Sequence, residues 1–329
     1  MNTPNDLRAA YDNGLKQQLN QFEKQRKIVL LWSLSPAIAL LISVLITVGL
    51  FVALERDLIM KEQAGPWVIL IFVVFFSFFS LIGVGRKKRE KYAAKYKKSI
   101  VEPIIKTLNP EWMYISDSSI SEKDYDRSML YSIKPEIFNG DDLVMGTVGK
   151  TGFESSELLT QYTTESTDDH GDTHTQFHTI FKGYFFQSVF NKSFKGHTVV
   201  VHGDLLDKAD AFKGFTRSKK GKQQYIKLEN PEFADLFTVQ STDQIESRYI
   251  LTPRMMEALI NIQKKYKRPM RVAFINEMVY LTIQFSKDLF EPKVWRSGVK
   301  YDTVQEIWDL FMLNADIIRE LDLNTDIWG

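Results

Sequence analysis

The chain has 329 residues, with 42 Lys and Arg against 41 Asp and Glu, and no cysteine. The missing cysteine excludes a disulfide framework, a thiolate metal site and a thiol nucleophile. The near balance of charge hides an asymmetry. Residues 1–98 carry 15 basic and 7 acidic side chains, net +8, so the remainder carries −7 of the +1 total. An acidic main body excludes nucleic acid as its partner, because phosphate binding needs a basic face.

In the first 27 residues Leu7, Tyr11, Leu15, Leu19 and Phe22 recur at steps of four, four, four and three. That is one face of a helix. Ile28 to Leu54 and Trp67 to Gly85 then form two apolar runs with no charged side chain. Each is long enough to cross a hydrocarbon core, which needs roughly 18–20 apolar residues. The first exceeds a signal-peptide core of about 7–15 residues and has no small-residue cleavage site before the loop, so it is read as retained. A pair of core helices in a soluble protein would show the same two runs.

Charge sets the expected orientation. Lys24, Arg26 and Lys27 precede the first run. Arg86, Lys87, Lys88, Arg89, Lys91, Lys95, Lys97 and Lys98 follow the second against one acid, Glu90. The loop between the runs, with Glu55, Arg56, Asp57, Lys61 and Glu62, is slightly acidic. The excess of Lys and Arg predicts both termini in the cytoplasm. Arg86, Lys87, Lys88, Arg89 and Lys91 are the expected contacts to anionic lipid headgroups of the bilayer. Tyr92, Tyr96 and Ile100 continue a helical face up to Pro103. Two antiparallel spans bring their cytoplasmic ends together, so these residues are expected to pack on the Leu7–Phe22 face. The alternative for residues 5–27 is a helix lying on the membrane surface. The expected division is an N-terminal helix over 1–27, a transmembrane hairpin over 28–85, a basic juxtamembrane helix over 86–108 and a cytoplasmic domain over 109–329.

Near residue 143 the pattern changes from helical to alternating. Leu143–Val148, Phe153–Thr164, Thr173–Phe186, His197–His202 and Val272–Phe285 are rich in β-branched and aromatic residues and read as an antiparallel sheet. Asn276-Glu277 is a candidate tight turn within the last. Thr252-Pro253 marks a helix start, followed by an apolar stripe of Met255, Met256, Leu259, Ile260 and Ile262. Asp302 with Gln305 suggests a second start, and Val304, Ile307, Trp308, Phe311, Ala315 and Ile318 form the face that would cover a sheet. The expected class is α+β: a two-helix transmembrane hairpin followed by a cytoplasmic domain with a mainly antiparallel sheet and packing helices.

DDLVMGTVGKTGFESSEL (141–158), FKGYFF (181–186), KSFKGHTVVV (192–201), PEFADLFTVQSTDQIESRYILTPRMMEAL (231–259) and NEMVYLTIQFSKDLFEP (276–292) together resemble DUF3137. This is an uncharacterised family of bacterial two-pass membrane proteins, sometimes labelled galanin-like. The resemblance implies two spans followed by a cytoplasmic domain, at the bacterial inner membrane. It also implies a LemA-type membrane protein as a partner. It carries over no activity, substrate or catalytic residue.

Three groups of residues are candidate sites. His170, His174 and His178, with Asp168, Asp169 and Asp172, are metal-compatible types at spacing four. On a helix, His174 and His178 could grip one ion. On a strand they would stand about 13 Å apart, at roughly 3.3 Å per residue. The surrounding residues favour a hairpin with a DDHGD turn, which places Phe177 and Phe181 inward and His174 and His178 outward. Glu246, Arg248 and Tyr249 form a candidate ligand site. Residues two apart on a helix do not face each other, so Arg248 would anchor Glu232, Asp235 or a ligand's anionic group. Lys213, Arg217, Lys219, Lys220 and Lys222 could touch headgroups or an acidic partner, or simply be solvated.

The sequence contains no GxxxxGK[ST] loop, HExxH helix or GxSxG elbow. Asp141-Asp142 reads as a turn, and no cofactor is expected. The spans hold no ionisable group of the kind that marks a transport path. The leading expectation is a membrane-anchored cytoplasmic binding or scaffold module, with a membrane or cytosolic protein partner and a possible homo-oligomer. The alternatives are a membrane-surface hydrolase or an oligomeric channel subunit.

Overall fold

A computed structural model of the protein describes residues 2–56, 65–168, 171–190, 193–203, 224–321 and 323. The chain divides into one unit of Pro4–Pro103 with Glu291–Gln305, and another of Met1–Thr3, Ile104–Phe290 and Glu306–Gly329.

The first unit is a helical hairpin. Helix α1 (Pro4–Glu55) and helix α2 (Gly65–Leu108) are both long and apolar enough to cross a membrane. Only 11% and 6% of their most apolar windows are buried. Side chains such as Ile69 and Phe76 stand about two-thirds exposed. A core helix hides such residues, so these two are not core helices of this chain. Outside the apolar windows the burial reverses. Leu7, Tyr11, Leu15, Leu19 and Phe22 are all buried, as are Tyr92, Tyr96 and Ile100. Phe22 packs on the rings of Tyr92 and Tyr96 at 5.9 and 5.8 Å. The two faces legible in the sequence therefore meet. Segment 291–305 also belongs to this unit: Tyr11 donates to the Val299 carbonyl at 2.8 Å, and its ring meets that of Tyr301 edge-on.

The second unit is built on nine strands: β1 (Met113–Ile115), β2 (Ile137–Val148), β3 (Thr151–Thr167), β4 (Thr173–Val189), β5 (His197–His202), β6 (Gln224–Ile226), β7 (Phe237–Ser241), β8 (Met270–Ile275) and β9 (Met278–Gln284). Their order is β1-β2-β3-β4-β9-β8-β5-β7-β6, and every pairing is antiparallel. With the hairpin, this makes the protein α+β. The β8–β9 turn falls at Asn276-Glu277, with Asn276 in the left-handed region at φ 56°.

Helices lie on both faces of the sheet, which is why central strands such as HTVVVH and MRVAFI are buried throughout instead of alternating. On one face, helix α3 (Glu122–Ser128) and the segment after it pack Tyr125 and Leu130 against Leu158, Phe181, Phe185, Val199 and Ala273. On the other, helix α6 (Pro253–Tyr266) reaches His202 through Gln263 at 2.9 Å. Helix α7 (Tyr301–Glu320) reaches Tyr184 there through Asn314 at 2.5 Å. Thr252 caps α6 by accepting from the Met255 N–H. Helix α7 begins at Tyr301, so Asp302 lies in its first turn and not at its cap. Two short helices, α4 (Pro231–Leu236) and α5 (Gln244–Ile250), flank β7.

β3 and β4 outrun their neighbours. β2 leaves β3 at Gln161 and β9 leaves β4 at Gly183, so the paired ends of β3 and β4 continue as a two-stranded arm. Gly183 sits at φ 147°, and a Cβ there would stand 2.3 Å from the Ile283 carbonyl. Only glycine fits where the arm leaves the sheet.

Candidate functional site

Glu246 is occupied by the backbone. Asp243 caps α5 by accepting from the N–H groups of Ile245 and Glu246, which aims the Glu246 side chain at the loop before β5. Its two oxygens accept the N–H of Lys195 at 2.9 Å and of Gly196 at 2.7 Å. Thr242 takes the N–H of His197 at 2.9 Å. Arg248 faces away, loosely placed at 3.4 Å from Glu229 and from the Lys227 carbonyl. Glu232 pairs instead with Lys264, at 2.6 Å. Tyr249 is exposed beside Arg248 on the same short helix. The three residues singled out from the sequence thus lie on one helix but face two ways.

His174 and His178 lie on the projecting arm. His178 stacks on Tyr162 at 4.9 Å and bonds Thr164 at 2.7 Å, while His174 stands 3.3 Å from Asp168. The structure does not bring them to one point; they face Ser166 and Tyr162 across the strand pair. His170 and Asp169 lie outside the described residues. The expectation that Phe177 points inward is corrected: Phe177 is 61% exposed, whereas Phe181 is buried. A bulge at Thr160/Gln161 breaks the alternation between them, and the arm carries Phe177 beyond the neighbouring strands.

Of the basic flank, Arg86, Lys87, Arg89 and Lys91 are exposed, with Arg86 paired to Glu90, and Lys88 lies over the Trp32 ring at 4.8 Å. Arg26 and Lys97, counted with the flank from the sequence, are buried. Arg26 is held by both oxygens of Glu23 and donates to the Val294 carbonyl, and Lys97 pairs with Glu291 at 2.8 Å. Lys213, Arg217, Lys219, Lys220 and Lys222 fall outside the described residues.

Two constellations have no counterpart in the sequence reading. The first is acidic. Asp141 and Asp142 are not a turn: they stand inside β2 at a bulge, with Asp142 buried at φ 58°. Their carboxylates and that of Glu157 on β3 offer oxygens within 4.8 Å of one another. Oxygen sets of this kind suit a hard cation. Glu157, however, also accepts the Leu289 N–H at 2.7 Å, and Tyr114 donates to Asp142. Burial, with Asp141, Asp288 and Asp142 adding negative charge, pushes the Glu157 carboxyl up to about 8. At neutral pH Glu157 is mostly protonated, which lowers the repulsion within the group.

The second is a buried cation. Arg271, on β8, is 5% exposed. It donates to the Leu130 carbonyl at 2.9 Å, and its guanidinium lies 4.4 Å from the Tyr131 ring centre. Its Nε has no partner, and no carboxylate pairs with it among the described residues. Arg271 lines a cleft of about 350 Å³ at the foot of the β3–β4 arm, with Tyr131, Ser132, Tyr162, Phe177 and His178. A lone arginine inside the apolar strand MRVAFI was the available sequence signal.

An exposed apolar helical hairpin joined to a two-faced antiparallel sheet defines a membrane-associated α+β module. The model of the family described as "Protein of unknown function (DUF3137)" matches residues 179–323, in agreement with the resemblance read from the sequence. Four of the five resembling segments fall inside it, and 141–158 precedes it. No curated protein matches the chain. Among solved structures, the mycobacterial trehalose monomycolate transport factor A, TtfA, is similar at 10% identity and a TM-score of 0.33, over 67% of this chain and 93% of that one.

Proposed function

We propose that the protein is a binding module anchored in the bacterial inner membrane by the α1–α2 hairpin, with both termini and the sheet unit on the cytoplasmic side. The observation that carries this reading is how few residues of either apolar window are buried, next to buried juxtamembrane faces. Lipid is the solvent that makes such a surface stable. The exposed Arg86, Lys87, Arg89 and Lys91, with Lys88, supply the positive charge expected on the cytoplasmic side, where anionic headgroups attract it. A LemA-type membrane protein, implied by the family resemblance, is the proposed partner, and a homo-oligomer is compatible with this arrangement.

The test is alkaline extraction of membranes from cells making the full chain, alongside a form in which Leu31, Leu41, Phe51, Ile69 and Phe76 are changed to Gln. The reading predicts that the native chain stays in the pellet while the substituted form is released. Release of the native chain would refute it.

A further inference from the structure

We propose that the cleft around Arg271 is a binding site for a small organic oxyanion, a carboxylate or phosphate group carried on a planar or apolar body. A buried charge is ordinarily paired, because taking an ion out of water costs several kcal/mol unless an opposite charge and hydrogen bonds replace the solvent. Arg271 has no opposite charge beside it among the described residues. Guanidinium offers five N–H donors, and the one acceptor within reach among the described residues is the Leu130 carbonyl. The Tyr131 ring face offsets part of the charge. What remains is a desolvated cation whose sealed Nε has no partner, on a side chain that lines a cleft of about 350 Å³.

The chemistry of the occupant follows from the walls. Guanidinium matches the two oxygens of a carboxylate or phosphate in a fork geometry, which fixes the charged end at Arg271. The stacked Tyr162–His178 pair supplies a flat-sided wall for the rest of the molecule, and Phe177 lines the same cleft. Thr179 and Gln284 add hydrogen-bonding groups at the rim. The volume lies at the small end of ligand sites, which run from roughly 300 to 1,000 Å³. This inference deepens the binding-module reading by naming a ligand class. It does not depend on the anchoring part of that reading, because every residue involved belongs to the sheet unit.

The full chain in phosphatidylcholine nanodiscs would be titrated calorimetrically with phenyl phosphate, phenylacetate, inorganic phosphate and the neutral benzyl alcohol. The expected result is saturable binding of the anions and none of benzyl alcohol. Arg271→Met should weaken anion binding by roughly 30- to 100-fold, the loss of a charged hydrogen-bond pair. Phe177 is exposed, so Phe177→Ala keeps the fold whatever Arg271→Met does. It should weaken the two phenyl probes by about tenfold and leave inorganic phosphate unchanged. Nanodiscs containing phosphatidylglycerol separate the sources: weaker apparent binding of the probes there assigns the natural oxyanion to a lipid headgroup, and unchanged binding assigns it to a soluble molecule. Failure of all anions to bind, equal binding by Arg271→Met, or identical affinities in Phe177→Ala would overturn the proposal. None of these outcomes bears on whether the hairpin spans a membrane.

Discussion

The carboxylate of Glu246 accepts the N–H of Gly196 at 2.7 Å, across fifty residues of chain. A Cβ at position 196 would stand 2.5 Å from that same oxygen, so a side chain there would displace the carboxylate. Glu246→Ala leaves two backbone donors without their charged acceptor and should cost ~2–3 kcal/mol, whereas Glu246→Gln, which keeps an acceptor, should cost about half as much. Urea unfolding of the full chain in detergent checks both. Equal stability of all three proteins would mean that the carboxylate does not hold the loop before β5.

Glu157 makes the stability of the sheet unit depend on pH. Its folded carboxyl titrates near 8 and its unfolded one near 4.5. Between those values the folded state binds the extra proton, so stability falls as pH rises from about 5 to about 8 and levels off beyond. The full span is on the order of 4 kcal/mol. Glu157→Gln keeps an acceptor for the Leu289 N–H and removes the titration. It should flatten the profile and raise the melting temperature at pH 8. Parallel profiles for wild type and variant would show that Glu157 does not carry the effect.

Leu19 is buried in the hairpin unit, one turn from the Phe22 ring that meets Tyr92 and Tyr96. Leu19→Asp buries an unpaired carboxylate there and should open the juxtamembrane pair, a change worth about 3 kcal/mol or more. Faster hydrogen exchange across residues 92–101 is the expected readout. Exchange as slow as in the wild type would place the N-terminal helix elsewhere, on the membrane surface for instance.

Glu291 forms an ion pair with the buried Lys97 at 2.8 Å. Glu291→Ala removes the carboxylate from this ion pair, and breaking one side of a buried pair typically costs about 3–5 kcal/mol. Glu291 is one-third exposed, so the lower part of that range applies. Segment 291–305 should then become the first site of limited proteolysis. An unchanged cleavage pattern would show that the pair does not secure the segment.

Much of this architecture is legible in the sequence because local periodicity and burial agree. The Leu7–Phe22 stripe, the Met255–Ile262 stripe and the Val304–Ile318 face are each buried on the side their spacing indicates. Legibility fails where long-range packing decides. The arm's Phe177 lies beyond the end of β9, which no alternation pattern encodes. Asp141-Asp142 has the composition of a turn, yet a bulge folds it into β2 beside Glu157. Arg26 and Lys97 count as membrane flank by position, while segment 291–305, some 200 residues beyond Lys97, supplies the Val294 carbonyl to one and the Glu291 carboxylate to the other. The Arg271 cleft escapes for the same reason: its walls come from β3, β4, β8 and the segment after α3.

Because the chain has no cysteine, a hairpin that crosses the membrane with the sheet unit on the cytoplasmic side can be tested directly. Single cysteines would be placed at the exposed Thr175 on the β3–β4 arm and at Lys61 between the spans, and intact spheroplasts treated with a membrane-impermeant maleimide. Labelling is expected at position 61 without lysis and at position 175 only after lysis. Labelling at 175 in intact spheroplasts, or at both positions only after lysis, would contradict it.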